Sequence, residues 1–406
     1  MAYTDFIAAI DLGTSHMVGM VGTKNATGAL SIIAYEVENS GTCIRRGCVY
    51  NVKETASKIK RLILKLENKL GGTKIGQVYV GLGGQSLRSI EHTVCKVLGT
   101  EGVVTEEIID SLYQECKDYR PDMLTVLDVV SPSYFLDDKP ESNPVPCSRI
   151  EARYKLIVGR PSLKLNIINS ISEQAKIEIA GILVSPLALG DVVLSDNEKD
   201  LGCALIGFGA GVTTISVYKG GKLASLSVVP FGGNLITKDI TNLRVVESEA
   251  ERLKITYGSA KADRDNDMTI QVSLADGMGL REIKLAELNG VIEARMDEIL
   301  ENVYARLEAT GLMSVLGAGI VITGGGAALK NLPAVMSERL KMEVRYSAVR
   351  KGVVASGDLV VASNPEYAVA VGLLAKGTKN CALYIPPKPE PKIEPVVEPE
   401  PTVEPT

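Results

Sequence analysis

The chain has 406 residues, enough for two or three domains that each bury a core. Its 45% apolar and 23% charged residues describe an ordinary globular protein, and the net charge of −5 offers no basic field for nucleic acid. Histidine occurs twice, at His16 and His92, which excludes a His-rich zinc site and leaves a Ser-His-Asp arrangement few ways to form.

The seven cysteines form no C-x-x-C pair, so free thiols in a reducing cytosol are expected. No signal-peptide core precedes Lys24, and no apolar run approaches the roughly 18 residues of a membrane span.

In chain order, strands are expected over 5–11, 16–22 and 30–37, joined by tight turns. A helix follows over 51–70, with Ile59, Leu62, Ile63, Leu66 and Leu70 on one face and Gly71-Gly72 stopping it. A strand over 77–81 closes a β-β-β-α-β unit. From 86 to 159 the texture changes to short strand-like runs, a charged helix near 105–117 and a Pro-punctuated loop over 131–146, read as an inserted subdomain. A helix over 163–180 returns to the main body, and another begins near Pro186.

The second half repeats the opening, with strands over 201–207, 211–218 and 223–230 and then a helix. The turn beginning at Gly207 lies 207 − 11 = 196 residues after the one beginning at Asp11, the offset of a duplicated domain. A helix over 248–257, a polar loop over 262–267 and a long amphipathic helix over 286–309 come next, the last ended by Gly311. A buried strand over 319–323 runs into Gly324-Gly325-Gly326. Eight of the 18 prolines fall between Pro386 and Pro405 among five glutamates, so 386–406 reads as an extended, disordered linker or tail.

Three segments carry chemistry. Asp11-Leu12-Gly13-Thr14-Ser15 places small residues and backbone N–H groups in a tight turn, with Asp11 able to hold Mg²⁺ through water, or is by itself a plain hairpin with an Asp in its turn. Gly207-Phe208-Gly209-Ala210-Gly211-Val212-Thr213 is its counterpart, and two facing turns make a phosphate clamp. Gly324, Gly325, Gly326 and Leu329 lie where backbone can sit flat against a base or ribose, or simply where a helix packs closely on a strand. Glu251 and Lys254 either bracket a ribose and base edge or form a solvated i,i+3 pair.

The order of these turns, with Pro230-Phe231-Gly232-Gly233-Asn234, Glu251-x-x-Lys254, Thr323-Gly-Gly-Gly-Ala327 and the late helix through Gly372, resembles the superfamily of actin, heat-shock chaperones and sugar kinases. Within it, residues 7–21, 41–51, 78–84 and 233–240 resemble the FtsA family of bacterial cell-division proteins.

The resemblance implies an α/β, actin-like (ribonuclease H-like), duplicated two-lobed fold. The first lobe is expected over 1–85 and 160–200, and the family's own subdomain over 86–159. The second lobe is expected over 201–385, with a small subdomain near 245–315. The resemblance also implies ATP and Mg²⁺ as cofactors, with Asp11, Gly13, Thr14, Ser15, 207–213, Gly233, Glu251, Lys254, 324–326 and Leu329 at the site. Expected partners are the FtsZ C-terminal peptide near Arg295 and Glu298, further copies in a filament, later division proteins, and the inner face of the cytoplasmic membrane. The family's linker leads to an amphipathic membrane helix, whereas this sequence stops in the Pro/Glu run, so such a helix is expected beyond Thr406 or in a partner. The family's second turn reads D-x-G-G-G-T-x-D, but Gly207, Ala210, Val212 and Thr214 depart from it, so weak ATP hydrolysis at most is expected. The rival readings are a sugar or acid kinase, for which no substrate-side Asp base is found, and a chaperone-like or pilus-assembly relative.

Overall fold

The computed structural model describes residues 5–141, 146–273, 279–356 and 364–383, so the expected Pro/Glu tail lies outside the described residues. The opening strands β1 (Ile7–Leu12), β2 (His16–Lys24) and β3 (Leu30–Asn39) form an antiparallel meander. A two-residue pair, β4 (Ile44–Arg45) and β5 (Cys48–Val49), follows. Helix α1 (Val52–Lys69) starts where Asn51 caps the Glu54 N–H and buries Ile59, Leu62, Ile63 and Leu66, as its spacing predicts. Strand β6 (Gln77–Leu82) then pairs parallel to β1.

The inserted segment holds long strands rather than the short runs expected: β7 (Arg88–Gly102), β8 (Thr125–Leu136), β9 (Lys139–Glu141) and β10 (Cys147–Gly159), with α2 (Glu106–Asp118) packed on them. The expected loop over 131–146 is strand as far as Leu136. A register shift opposite 153–155 of β10 lets β8 pass Pro132 as a bulge. Asp137 and Asp138, both at positive φ, then turn the hairpin into β9. This sheet, ordered β7-β10-β8-β9, has its own core around Leu112, Ala152, Tyr154 and Leu156.

The helix expected over 163–180 is shorter. It is α3 (Ser162–Ile168) continued by a π-helical stretch to Ala175, and Lys176 in the left-handed region ends it. Residues 178–184 instead form β11 (Glu178–Val184), parallel to β6. No glycine or proline marks the change, and Ile177, Ile179 and Ile182 satisfy either period. Helices α4 (Ser185–Val193) and α5 (Asp196–Leu201) lead into the second half.

There β12 (Cys203–Phe208), β13 (Thr213–Lys219) and β14 (Lys222–Val229) repeat the meander. Next come α6 (Gly233–Ile240), α7 (Glu247–Tyr257), the hairpin β15 (Thr269–Ser273) and β16 (Leu280–Lys284), and α8 (Leu285–Glu308). The hairpin was not expected from the sequence. Strand β17 (Ile320–Thr323) pairs parallel to β12, and α9 (Leu332–Leu340) leads to β18 (Val344–Tyr346), parallel to β17. Strand β19 (Val354–Ser356) crosses back to pair with β3, and α10 (Ala368–Lys376) closes the described fold.

The two main sheets run β11-β6-β1-β2-β3-β19 and β14-β13-β12-β17-β18. Apart from β19 they share one order and one set of directions, so the offset read from the sequence is a structural duplication. Helices α4 and α10 pack together between them: Gly372 sits against the Ala188 carbonyl, and one continuous core joins Val371 and Leu374 to Leu205, Tyr218 and Leu226. The fold is the actin-like two-lobed α/β arrangement, with a cleft between its lobes where the two meanders face each other.

Candidate functional site

The cleft holds a cavity of about 500 Å³, within the range typical of small-molecule sites. Asp11, Gly13, Thr14 and Ser15 line it from the first turn, and Gly207, Gly209, Ala210, Gly211 and Val212 from the second. Gly233, Glu251 and Lys254 come from α6 and α7, and 324–326 from the turn after β17. Residues up to 326 − 11 = 315 positions apart, named separately from sequence, are thus brought around one space.

The turns touch each other. Thr14 Oγ1 accepts the Gly47 N–H at 2.9 Å, and a Cβ on Gly211 would lie 2.6 Å from the same oxygen. On Gly13 a Cβ would meet the His16 carbonyl at 2.5 Å, and on Gly209 the Val212 carbonyl at 2.9 Å. These glycines are required by close approach of the chain to itself. Gly324 adopts φ +86°, and a Cβ there would meet the Phe208 carbonyl at 2.6 Å, which ties the third turn to the second.

Asp11 ends β1 at the cavity wall, beside Gly81 of β6. Burial pushes its carboxyl up to about 6, against the opposing backbone N–H of Leu12. A group held this way gains most from a cation that would offset its charge. On the opposite side, Lys254 Nζ donates to Glu251 at 2.7 Å, to Thr237 Oγ1 at 2.8 Å and to the Gly233 carbonyl at 3.2 Å. Thr237 also meets the Glu251 carboxylate. The pair is therefore a braced cluster on the cavity wall, tied to α6, and more than a solvated i,i+3 bridge.

Three expected residues do not line the cavity. Phe208 lies in the second-lobe core. Thr213 is buried and donates to the Phe231 carbonyl at 2.9 Å. Leu329 packs toward Gly258. Phe208 and Thr213 support the second turn from behind, because side chains alternate faces along a strand and their neighbours Gly207 and Thr214 take the cavity side, whereas Leu329 lies just past the short helical turn after Gly324 and points into the core. Arg295 and Glu298 stand elsewhere, on α8. Arg295 is 25% exposed and clasped by Asp239 of α6 and by Glu298. Asp239 bonds raise the guanidinium pKa. Asp239, held by Arg295, does not line the cavity.

Sequence reasoning missed other lining residues. Gly81, Gly83 and Gly84 stood in the family-like run over 78–84, and Asn234 and Thr237 in the run over 233–240, so repetition of glycine and hydroxyl residues was the available signal. Ser185, Ile255 and Glu366 line the cavity too, and nothing local marks them. Ile255 is 72% exposed, an apolar side chain at the cavity rim. Among the described residues no group of three or more His, Cys, Asp or Glu is arranged to hold a metal by itself.

A family profile described as Cell division protein FtsA matches residues 204–372. The chain is 39% identical over 382 residues to a cell division protein FtsA of Porphyromonas gingivalis, covering 93% of this chain and 79% of that protein. It is 32% identical over 392 residues to the one of Bacillus subtilis, covering 94% and 86%. Among solved structures, it matches the PilM-PilN type IV pilus biogenesis complex with TM-score 0.65 at 16% identity, covering 91% of this chain and 97% of that one. MreB5 of Spiroplasma citri bound to ADP matches with TM-score 0.51 at 14% identity, covering 91% and 95%. At these identities the structures share the fold alone.

Proposed function

Because this chain belongs to the FtsA family of cell-division proteins, we propose that it binds ATP with Mg²⁺ in the interlobe cavity and polymerises in that state. In this reading it links filaments of the tubulin-like FtsZ to the inner face of the cytoplasmic membrane and recruits later division proteins. The observation that carries the reading is the meeting of two duplicated glycine turns and a triple-glycine turn around one cavity, with Asp11 at its wall.

The residues present fit the nucleotide. Close-packed glycine turns leave backbone, with few side chains, facing the space where phosphates would lie. The buried hydroxyl of Thr323, which lines the cavity, has no hydrogen-bond partner among the described residues. Asp11 would hold Mg²⁺ through its water shell, since Mg²⁺ keeps several waters and takes one or two carboxylates together with phosphates. When bound, the ion neutralises phosphate charge. The Glu251–Lys254–Thr237 cluster faces the ribose end, and 324–326 the base.

Among the described residues no helix is long and apolar enough to cross a membrane. The small subdomain proposed at about 245–315 offers the FtsZ peptide the outer face of α8 near Glu298. The relatives at 39% and 32% identity favour this reading over a kinase or pilus-assembly role.

Gly325→Trp tests the base site. A Cβ at Gly325 would meet only the Glu366 carboxylate, at 2.9 Å, a flexible side-chain end that can move. The variant should fold, lose Mg·ATP binding in a titration, and fail to sediment as ATP-dependent filaments. Unchanged nucleotide affinity would overturn the assignment.

A further inference from the structure

Gly207 pairs with Thr214 on β13 and with Thr323 on β17, so Thr214, Gly207 and Thr323 form one row across three strands. All three line the cavity. The first lobe has the corresponding row. Asp11 pairs with Val18, and the parallel register of Ile10 with Val80 brings Asp11 beside Gly81. There the central residue carries the carboxylate, and a Cβ on its glycine neighbour would lie 3.2 Å from Asp11 Oδ1. In the second lobe the arrangement is exchanged: the centre is glycine and both flanks are threonines.

Thr323 is 2% exposed, and its Oγ1 has no hydrogen-bond partner among the described residues. A buried hydroxyl without a partner is costly, and a site that retains one generally pairs it in another state. The Thr323 methyl Cγ2 lies 3.7 Å from where a Cβ on Gly207 would stand. One 120° step about χ1 between staggered wells carries the hydroxyl into the methyl's place and the methyl into the hydrogen's, which turns the hydroxyl toward the space above Gly207 without backbone movement. Thr214 Oγ1 already borders that space, 2.7 Å from the same point.

We propose that Thr323, with Thr214 across Gly207, is a neutral positioning pair for the phosphate end of the bound nucleotide. The inference rests on the nucleotide reading above and deepens it. A hydroxyl donates to a phosphate oxygen or accepts from a water beside it. A carboxylate at Gly207 could do only the second while ionised, and would repel the phosphates. The second turn is thus built to hold the nucleotide by neutral donors, with the charge kept at Asp11.

The test uses the full chain and three proteins: wild type, Thr323→Val, which has the same shape without the hydroxyl, and Thr323→Ser, which restores it. Affinity for Mg·ATP and the melting temperature of the nucleotide-free protein are both read. Valine should weaken Mg·ATP about tenfold, the size of one hydrogen bond to a charged group. Serine should return most of it, and valine should melt no lower than wild type, since the lost hydroxyl had no internal partner. Wild-type affinity in the valine variant, weak binding in the serine variant, or a melting point several degrees lower for valine would each overturn the proposal. If the wild type itself fails to bind Mg·ATP, the nucleotide reading falls first and this inference with it.

Discussion

Asp11 and Gly207 occupy equivalent strand ends, and their surroundings set different chemistry. For Asp11 the shift from 3.8 to about 6 is worth up to about 3 kcal/mol. The folded pKa lies above the unfolded one, so this contribution to stability is fully present below pH 3.8 and is lost as pH rises through 6. Asp11→Asn should therefore stabilise the metal-free protein in urea unfolding by up to about 3 kcal/mol near pH 7.5, and by about half as much near pH 5. No gain near pH 7.5 would mean that the carboxylate is well solvated. At Gly207 an added Cβ would stand 2.7 Å from Thr214 Oγ1, so Gly207→Asp alone should crowd the turn and destabilise by about 1–3 kcal/mol. Gly207→Asp with Thr214→Ala has the room. If a second carboxylate is what hydrolysis lacks, the double variant should release phosphate from ATP faster than wild type, by up to about a hundredfold. Equal rates would place the limiting step elsewhere.

At the scale of elements, α6 is the member to which the others report. Its first turn is held to the second glycine turn through Gly233 and Asn234 N–H bonds to the Gly209 and Ala210 carbonyls, at 3.0 and 2.8 Å. Its middle meets Glu251 and Lys254 of α7 through Thr237, and its end meets α8 through Asp239 and Arg295. Arg295→Glu would set two carboxylates against each other at a largely buried contact and should cost about 2–4 kcal/mol in chemical denaturation. Adding Asp239→Arg should recover part of that loss, and no recovery would show that the pair contributes little. Lost peptide binding in Arg295→Glu alone would therefore not locate a partner surface. Glu298, 46% exposed, is the better probe. Glu298→Lys leaves the Asp239 pair in place and should tighten binding of an acidic FtsZ tail peptide several-fold at low salt. Unaltered affinity in a titration would move that site away from α8.

For the whole molecule, the lobes are joined in several places beside the cavity. Helices α4 and α10 pack between the sheets, and β18 and β19 lie on different sheets within one short stretch of chain. The inserted sheet also reaches the second lobe, where Ser89 Oγ accepts the Leu226 N–H at 2.8 Å at the edge strand β14. That contact covers an edge that would otherwise invite pairing with another chain. A ligand bound between lobes so connected stabilises the folded whole. Mg·ATP at about a hundred times its Kd should add about 2.7 kcal/mol to global stability, read as a raised melting temperature. A melting temperature indifferent to Mg·ATP would argue against an interlobe site.

The sequence by itself determined the elements whose apolar period is long and cleanly ended, such as α1 and α8, and the duplication, because equivalent turns repeat the same small residues. It also named most of the cavity's glycines, since close backbone approach admits no other residue and so leaves its mark on composition. Only the tertiary structure decided the rest. Residues 178–184 fit a helix or a strand, and a place beside β6 made them a strand. Thr323 and Gly207 lie 116 residues apart (323 − 207) and became neighbours through parallel pairing that no local pattern announces. Arg295 was named only as a place for a partner peptide, and nothing along its own helix announces the Asp239 of α6 that clasps it. Spacing along a chain records what one element can bury, whereas register and partner choice depend on chain segments far away in sequence.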